Sequence, residues 1–560
     1  MHPESCWGSI KVLRDTTLIN AAVEQGLIDA DELARLQMLA RRERRDLLTL
    51  VCFSARIPLV SFYRAYAELH GIPFVQQELQ ADSKLLRKLP RTLTERRLML
   101  PLLHEGEALP VLVVADPEDR SAIEQARRLL GGDIEVKMTL PSYLQRALSH
   151  SQVEVLGELG VQAAPPFDPV ATLTELFNEA YLLRASDIHF EPLKARMQIR
   201  LRVDGRLQEY PISLSLSEGQ SLMSRMKVLA GMDIAEQRMP QDGNLSHQIP
   251  ESNIGFDIRA ATLPTRFGER ATLRLLGSDS EVLSLEKIGF CQHNLAQFQQ
   301  IIHRPHGMIL VTGPTGSGKS TTLYAALQQI ATREVNVMTA EDPVEYVMEG
   351  IAQVHVNSKV SFADALRSFL RHDPDVIMVG EIRDGETANI ALKAAMTGHL
   401  VFSTVHTNSA ISTINRLVDM GVERFLIGST LAAVIAQRLV RKLCLCCRQP
   451  YTPSDSQRQQ LLDQRQEEDD ITLYKAIGCA NCMGSGYKGR LALFETLWVD
   501  DDLGELIGRG ADESALRQQA KHFVTLQQDS KDKLLSGLTS WEELYRLKLV
   551  ESQLVDEVTA

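Results

Sequence analysis

The stretch Leu310–Tyr324, LVTGPTGSGKSTTLY, places Gly313, Gly318, Lys319 and Ser320 at the spacing G-x-x-x-x-G-K-[ST]. Glycines at those positions let backbone N–H groups turn inward around phosphate oxygens, and a helix beginning at the motif adds its positive end. Gly313, Pro314, Thr315, Gly316, Ser317, Gly318, Lys319, Ser320 and Thr321 are therefore the candidate nucleotide contacts. In that arrangement Lys319 bridges the β and γ phosphates of ATP, and the Ser320 hydroxyl coordinates Mg²⁺.

A phosphate loop needs a second group to hold the metal or to activate water. VMTAEDPVEY ends an apolar run at Glu341 and Asp342, and DPDVIMVGEIRD places Glu381 just beyond Val376–Val379. Open α/β sheets bind ligands at such strand ends. Pro343 also keeps Asp342 out of helical conformation. TGHLVFSTVHTN brackets a third apolar strand with His399 and His406, which fits a pair of γ-phosphate sensors.

Thiols form a second group. Of the eight cysteines, Cys444 and Cys447 make one C-x-x-C pair and Cys479 and Cys482 another. Two such pairs suit a closed tetrahedral Zn²⁺ site of structural kind, in which Cys446 is a bystander. Cys6, Cys52 and Cys291 read as ordinary small apolar residues.

The elements that must hold these groups are legible around them. Met308–Thr312 is a short apolar strand and STTLYAALQQI a helix that follows it, the order a phosphate loop requires. From about residue 285 onward strands alternate with helices, which predicts a parallel sheet covered on both faces. Residues 170–275 hold the helix VATLTELFNEAYLLRA and the strands MQIRLRV and ATLRLL, with a VDGR turn. Nearer the start, Val111–Ala115 is a buried strand and Ile123, Ala126, Leu129 and Leu130 follow helical spacing up to Gly131-Gly132. A strand over 134–138 and another helix complete a β-α-β-α unit. Pro165-Pro166 marks the first domain boundary. SDSQRQQLLDQRQEEDD reads as a solvated helix or loop, and RRERRD (Arg41 to Asp46) as a solvated helix face.

At 560 residues the chain is too long for one core. A net charge of −12 and 5% aromatic residues give no support to a general nucleic-acid binder, which needs concentrated Lys and Arg. No apolar run approaches the ~20 residues of a membrane span, and the start lacks the pattern of a signal peptide. These features predict a cytosolic protein.

Further segments occur in a recognisable order: ASDIHFEP, RLRVDGRL, MDIAEQRMPQDG and TLPTRFGERATLRLL before the phosphate loop, and TAEDPVEY, DPDVIMVGEIRD, TGHLVFSTVHTN and IAQRLVRKLC after it. Over residues 170–560 the chain resembles the assembly ATPases of type II secretion and type IV pilus systems. The resemblance implies a multidomain α/β protein with a RecA-like P-loop ATPase core over 285–500. A PAS-like α+β domain over 170–278 precedes it, after a small N-terminal α/β partner-docking domain over 1–150 and a linker over 151–169. The four-cysteine zinc subdomain spans 444–482, and a helical region spans 501–560.

The resemblance further implies a cytoplasmic homo-hexamer that drives pilus or pseudopilus assembly and protein secretion. It would sit at the inner face of the plasma membrane only through partners, an inner-membrane platform protein and a membrane-anchored linker protein. By the same resemblance Glu341 polarises the attacking water and Glu381 serves the Mg²⁺ site, roles the sequence leaves exchangeable. His399 and His406 report the γ-phosphate, and Arg202, Arg266 and Arg270 reach ATP from the PAS-like domain. Arg202, on an alternating strand, suits a surface ion pair equally well.

Some members bind cyclic di-GMP through a segment opening Arg-Leu-Gly. EQGLIDADELARLQ lacks that start, so the ligand is not expected and an amphipathic helix docking on a partner is. Two rival functions use the same core: a nucleic-acid or conjugation translocase, and a scaffold that binds nucleotide without turnover.

Overall fold

A computed structural model describes residues 12–77, 79–102, 109–158, 167–249, 252, 254–276, 284–461 and 471–550, with no side-chain detail at 150–158. It divides into two compact units, residues 1–279 with 477–486, and residues 280–476 with 487–560.

The first unit opens with helices Asp15–Glu24, Ala30–Glu43, Leu47–Ser54 and Leu59–Leu69. Within EQGLIDADELARLQ, Leu33 and Leu36 are buried with Ala40 in the unit's own core, so the predicted partner-docking face is used internally. RRERRD does not stay one helix face. Arg44 leaves the helix at φ 54°, and Asp46 caps the next helix by accepting from the Thr49 N–H at 2.7 Å.

Strands β1 (Met99–Pro101), β2 (Val111–Val114) and β3 (Glu135–Met138) form a small sheet in that order, with β2 and β3 parallel. The crossover helix Arg120–Leu130 buries Ala122, Ala126 and Leu130, an i, i+4 stripe that leaves Leu129 exposed, contrary to the predicted face. Gly131, at φ 97°, ends it.

Helix Pro169–Leu182 then packs on an antiparallel sheet. Its strands are β4 (Ala185–Pro192), β5 (Arg196–Val203), β6 (Arg206–Glu209), β7 (Leu214–Ser215), β8 (Gln241–Gln248), β9 (Gly255–Thr265) and β10 (Gly268–Leu276). Their order is β6-β5-β4-β10-β9-β8, with β7 beside β5. The β5–β6 turn uses Asp204 and Gly205 at φ 47° and 82°, the pair of positive values a two-residue hairpin needs.

The second unit is built on β11 (Gly307–Thr312), β12 (Val337–Glu341), β13 (Ala352–His355), β14 (Val376–Val379), β15 (Leu400–Val405), β16 (Leu431–Leu443) and β19 (Tyr487–Trp498), with a small β17 (Gln449–Tyr451) and β18 (Leu473–Lys475) pair between the last two. The order is β13-β12-β14-β15-β11-β16-β19. All neighbours are parallel except β16 and β19, so the predicted parallel sheet gains one antiparallel edge. Strands β11, β14 and β15 are buried throughout, as continuous apolar runs covered on both faces should be. Helices Phe362–Phe369, Gly385–Met396 and Ala410–Asp419 share one core cluster, and Gln292–Ile301 and Lys319–Ile330 share the other.

Of the polar segment SDSQRQQLLDQRQEEDD, helix Asp455–Leu461 is described and residues 462–470 lie outside the described residues. Cys6 lies outside them as well. Among the described residues no single helix is long and apolar enough to cross a membrane.

Candidate active site

Because β11, β12, β14 and β15 run parallel, their C-terminal ends share one edge of the sheet. Thr312, Glu341, Val379 and Val405 end those strands, and the phosphate loop begins at the first of them. Gly313, Gly316 and Gly318 all adopt positive φ, at 144°, 76° and 88°. A Cβ on Gly313 would lie 2.4 Å from the Gln437 carbonyl oxygen, and one on Gly318 would lie 2.7 Å from Gln437 Nε2. The loop is thus seated against β16, where the Thr322 hydroxyl also donates to Gln437 Oε1 at 2.8 Å.

Lys319 opens the helix and its ammonium donates to the carbonyls of Gly313 (2.9 Å) and Pro314 (3.1 Å). Burial lowers its pKa; the Glu381 charge opposes that, Arg438 adds to it, and Glu345 opposes it again. Ser317 is buried, and its hydroxyl has no hydrogen-bond partner among the described residues. Left-handed glycines, an ammonium and an unpaired hydroxyl at a helix N-terminus fit a bound polyphosphate. Pro314, Thr315, Gly316 and Thr321 are exposed along the loop, and Ser320 is half-buried.

The two glutamates differ sharply. Glu341 is buried, and its carboxylate accepts from the Tyr324 hydroxyl, from Thr339 Oγ1 and from Gln353 Nε2 at 3.1 Å. Of these two, Glu381 is the one whose charge acts on Lys319. It pairs with Arg383 and lies 3.4 Å from His406 Nε2. Geometry therefore separates the pair: Glu381 faces the phosphate loop, whereas Glu341 is enclosed by hydrogen-bond donors.

The histidines separate too. His406 follows β15 on the phosphate-loop edge. The loop that carries it is tied to β11, since Thr312 Oγ1 contacts Thr407 Oγ1 at 2.7 Å and accepts from its N–H at 2.9 Å. His399 precedes β15. Its carbonyl accepts from the Gly307 N–H at the start of β11 (3.1 Å), and its Nδ1 lies 2.9 Å from the Ala394 carbonyl. A strand of this length spans roughly 20 Å. His399 is thus at the opposite edge from its own phosphate loop, and the sensor role expected for it does not fit that position within one chain.

In the first unit the buried carboxylates Asp187 and Glu191 flank His189 along β4. Arg202 (3.6 Å) and Arg274 (3.1 Å) pair with Asp187. Arg200 (2.6 Å) and Arg270 (2.7 Å) pair with Glu191. Four guanidinium groups against two carboxylates leave this sheet face positive. His189 has its pKa lowered by burial, which the Arg202 and Arg270 charges reinforce and those of Asp187 and Glu191 oppose; its Nε2 is buried without a partner among the described residues. Arg202 and Arg270 therefore share one face. Arg266 does not join them: it sits at the exposed β9–β10 turn beside the Phe267 ring.

The Sγ atoms of Cys444, Cys447, Cys479 and Cys482 all lie within 4.8 Å of one another, with Cys479 and Cys482 at 3.8 Å. Thiolates at about 2.3 Å from a tetrahedral Zn²⁺ stand roughly 3.8 Å apart. The N–H groups of Cys479 and Gly486, each 3.2 Å from Cys482 Sγ, add the outer-shell donors such a thiolate takes. The donor set fits zinc. Cys446 is exposed outside the cluster; Cys52 is buried, as expected, but Cys291 is exposed, unlike a packed apolar residue.

Comparison with known proteins decides what this arrangement belongs to. A family described as Type II/IV secretion system protein matches residues 167–546, more than half of the chain. The chain is a member of that ATPase family. A second family, the MshEN domain, matches residues 70–158. This secretion ATPase is 43% identical over 487 residues to type II secretion system protein E of Dickeya dadantii (strain 3937), covering 82% of the chain and 96% of the relative. It is 35% identical over 556 residues to the type IV pilus assembly ATPase PilB of Myxococcus xanthus (strain DK1622), covering 93% and 97%. Among solved structures, Legionella pneumophila ATPase DotB aligns at TM-score 0.51 and 24% identity over 69% of this chain and 97% of that one, a likeness of fold. Both sequence relatives are named for secretion or pilus assembly, and neither for nucleic-acid translocation. The family's ATP hydrolysis implies ATP and Mg²⁺ at the phosphate loop.

Several residues of the site escaped sequence reasoning. Arg200 and Arg274 lie two residues from Arg202 and two pairs from Arg270 on alternating strands, so i, i+2 counting reaches them. Gln437 and Tyr324 carried no such signal, because their partners are distant in sequence.

Proposed function

We propose that this ATPase works as a cytoplasmic homo-hexamer that converts ATP hydrolysis into assembly of pilin-like subunits at the inner membrane. A membrane-embedded platform protein and a membrane-anchored linker would be its partners. The supporting observation is the common sheet edge that carries the phosphate loop, Glu381 and His406 in a chain of this family. Bound Mg²⁺ would polarise the phosphate oxygens, held through Ser320 and Glu381.

In this reading Lys319 neutralises the terminal phosphates and Glu381 orders the water side of the site. His406, 3.4 Å from the Glu381 carboxylate, transmits the phosphate state through Thr407. Glu341 fixes the strand end beneath them through Tyr324. Arg202 and Arg270, on the positive face of the PAS-like domain, compensate the charge that builds on the triphosphate as its γ-phosphoryl leaves. Cys444, Cys447, Cys479 and Cys482 would hold zinc and so brace the connection between β16 and β19.

The test is a strain lacking this gene, complemented with the wild-type chain or with the Glu381→Gln variant. Loss of exported protein from the medium or of surface filaments, restored only by the wild type, supports the reading and says which system it serves. Normal export and normal filaments without the gene would refute it.

A further inference from the structure

Strand β16 passes directly beside the phosphate loop. Thr312, the last residue of β11, is in parallel register with Ala436, so Gly313 at the start of the phosphate loop lies beside Gln437, the residue before Arg438 on β16. The 2.4 Å approach between a Cβ on Gly313 and the Gln437 carbonyl shows how tight that seam is. Side chains alternate along a strand. Gln437 turns to Thr322 on the helix behind the loop, and Arg438 to Asn408 in the loop after β15.

Arg438 is partly buried, and its acceptors are neutral. Its guanidinium donates to Asn408 Oδ1 at 3.1 Å, to the Asn408 carbonyl at 3.4 Å and to the Gln437 carbonyl at 3.5 Å. Among the described residues no carboxylate forms an ion pair with it. Glu495, the acid that contributes to its electrostatics, accepts the Ala410 N–H at its Oε1 at 2.7 Å. Burial lowers the pKa of Arg438, and its positive charge in turn is felt at Lys319. Two cations close enough to oppose each other, only one of them within the G-x-x-x-x-G-K-[ST] motif, are a costly arrangement unless an anion comes between them.

We propose that Arg438 is a second phosphate-site cation of the same chain, held by Asn408 and transferred to the nucleotide phosphates when they occupy the loop. The transfer frees Asn408 and with it the loop that carries His406, so nucleotide occupancy is read at two points of the one four-residue connection between Val405 and Ala410. This rests on the phosphate loop being the nucleotide site, and the test separates the two claims.

The test uses the full-length zinc-loaded protein and a fluorescent ATP analogue with Mg²⁺. Arg438→Gln weakens analogue binding about tenfold or more, the loss of one charge-assisted hydrogen-bond set. Arg438→Lys, which keeps the charge, stays within about threefold. Asn408→Ala binds as tightly as the wild type or more tightly, because a competitor for the guanidinium is gone. If Arg438 merely braced the loop, Asn408→Ala would weaken binding as Arg438→Gln does, and that result overturns the proposal. So does an Arg438→Gln variant that binds within twofold of wild type. Thermal unfolding without nucleotide shows whether Arg438→Gln is folded; if it is not, the Lys and Asn408 variants decide alone. Lys319→Ala is the control: unchanged binding there would refute the phosphate-loop site itself, not the role of Arg438.

Discussion

The Tyr324 hydroxyl donates to a carboxylate oxygen of Glu341, and both side chains are buried, one on the helix behind the phosphate loop and one at the end of β12. The same hydroxyl accepts from the N–H groups of Glu345 (3.2 Å) and Tyr346 (3.4 Å). One phenol therefore ties the helix, the strand end and the acidic loop together. Replacing Tyr324 with Phe removes a donor from a buried carboxylate and should cost about 1–3 kcal/mol of stability. Urea unfolding measures it, and an unchanged midpoint would show that the bond contributes nothing.

Glu381 and Glu341 should then fail differently. Glu381→Gln is expected to lower kcat by about 100-fold or more while leaving nucleotide affinity within a few fold. Glu341→Gln should destabilise the fold, since it alters a group enclosed by three donors. Steady-state phosphate release beside thermal melts separates the two. A Glu381→Gln variant with near-normal kcat would remove that residue from the chemistry.

Acid should weaken the second unit through Glu543. Its side chain is fully buried against Arg441 (2.7 Å) and Arg546 (3.1 Å). Burial alone would raise its pKa, but the Arg441 hydrogen bonds and charge, with the Arg546 charge, outweigh burial and hold it below the usual 4.5. A depressed folded pKa gives stability that is complete above the unfolded value and is lost as pH falls through the folded one. The melting advantage of wild type over Glu543→Gln should be full at neutral pH and shrink below about pH 4.5. An advantage independent of pH would contradict this.

Zinc removal should be as selective as the cysteine geometry. Cys444→Ser or Cys482→Ser is expected to abolish stoichiometric zinc in elemental analysis and lower the melting temperature, with no comparable effect of Cys446→Ser. Equal zinc content in all three variants would rule out the four-thiol site.

How far these features were legible in the sequence follows from how local their causes are. Gly313, Gly318, Lys319 and Ser320 announce their geometry because a left-handed turn and a helix start are local demands. The paired cysteines do so through spacing. The antiparallel β19 was not legible, because pairing of Ala436 with Glu495 depends on long-range packing, not on any periodicity. Leu129 misled because helical spacing gives a stripe but not its exact edge. His399 misled because a motif read along the chain does not say which end of a buried strand faces the ligand; only the parallel register of β11 and β15 does. The family resemblance grouped Arg266 with Arg270, yet Arg266 lies in the turn between β9 and β10 while Arg270 is in the strand ladder.

The central claim is that the phosphate loop turns over ATP, and the most direct measurement is Mg²⁺-dependent phosphate release by wild-type and Lys319→Ala chains of equal thermal stability. Turnover by the wild type and none above background for the variant is the predicted result. Comparable release from both would contradict the account.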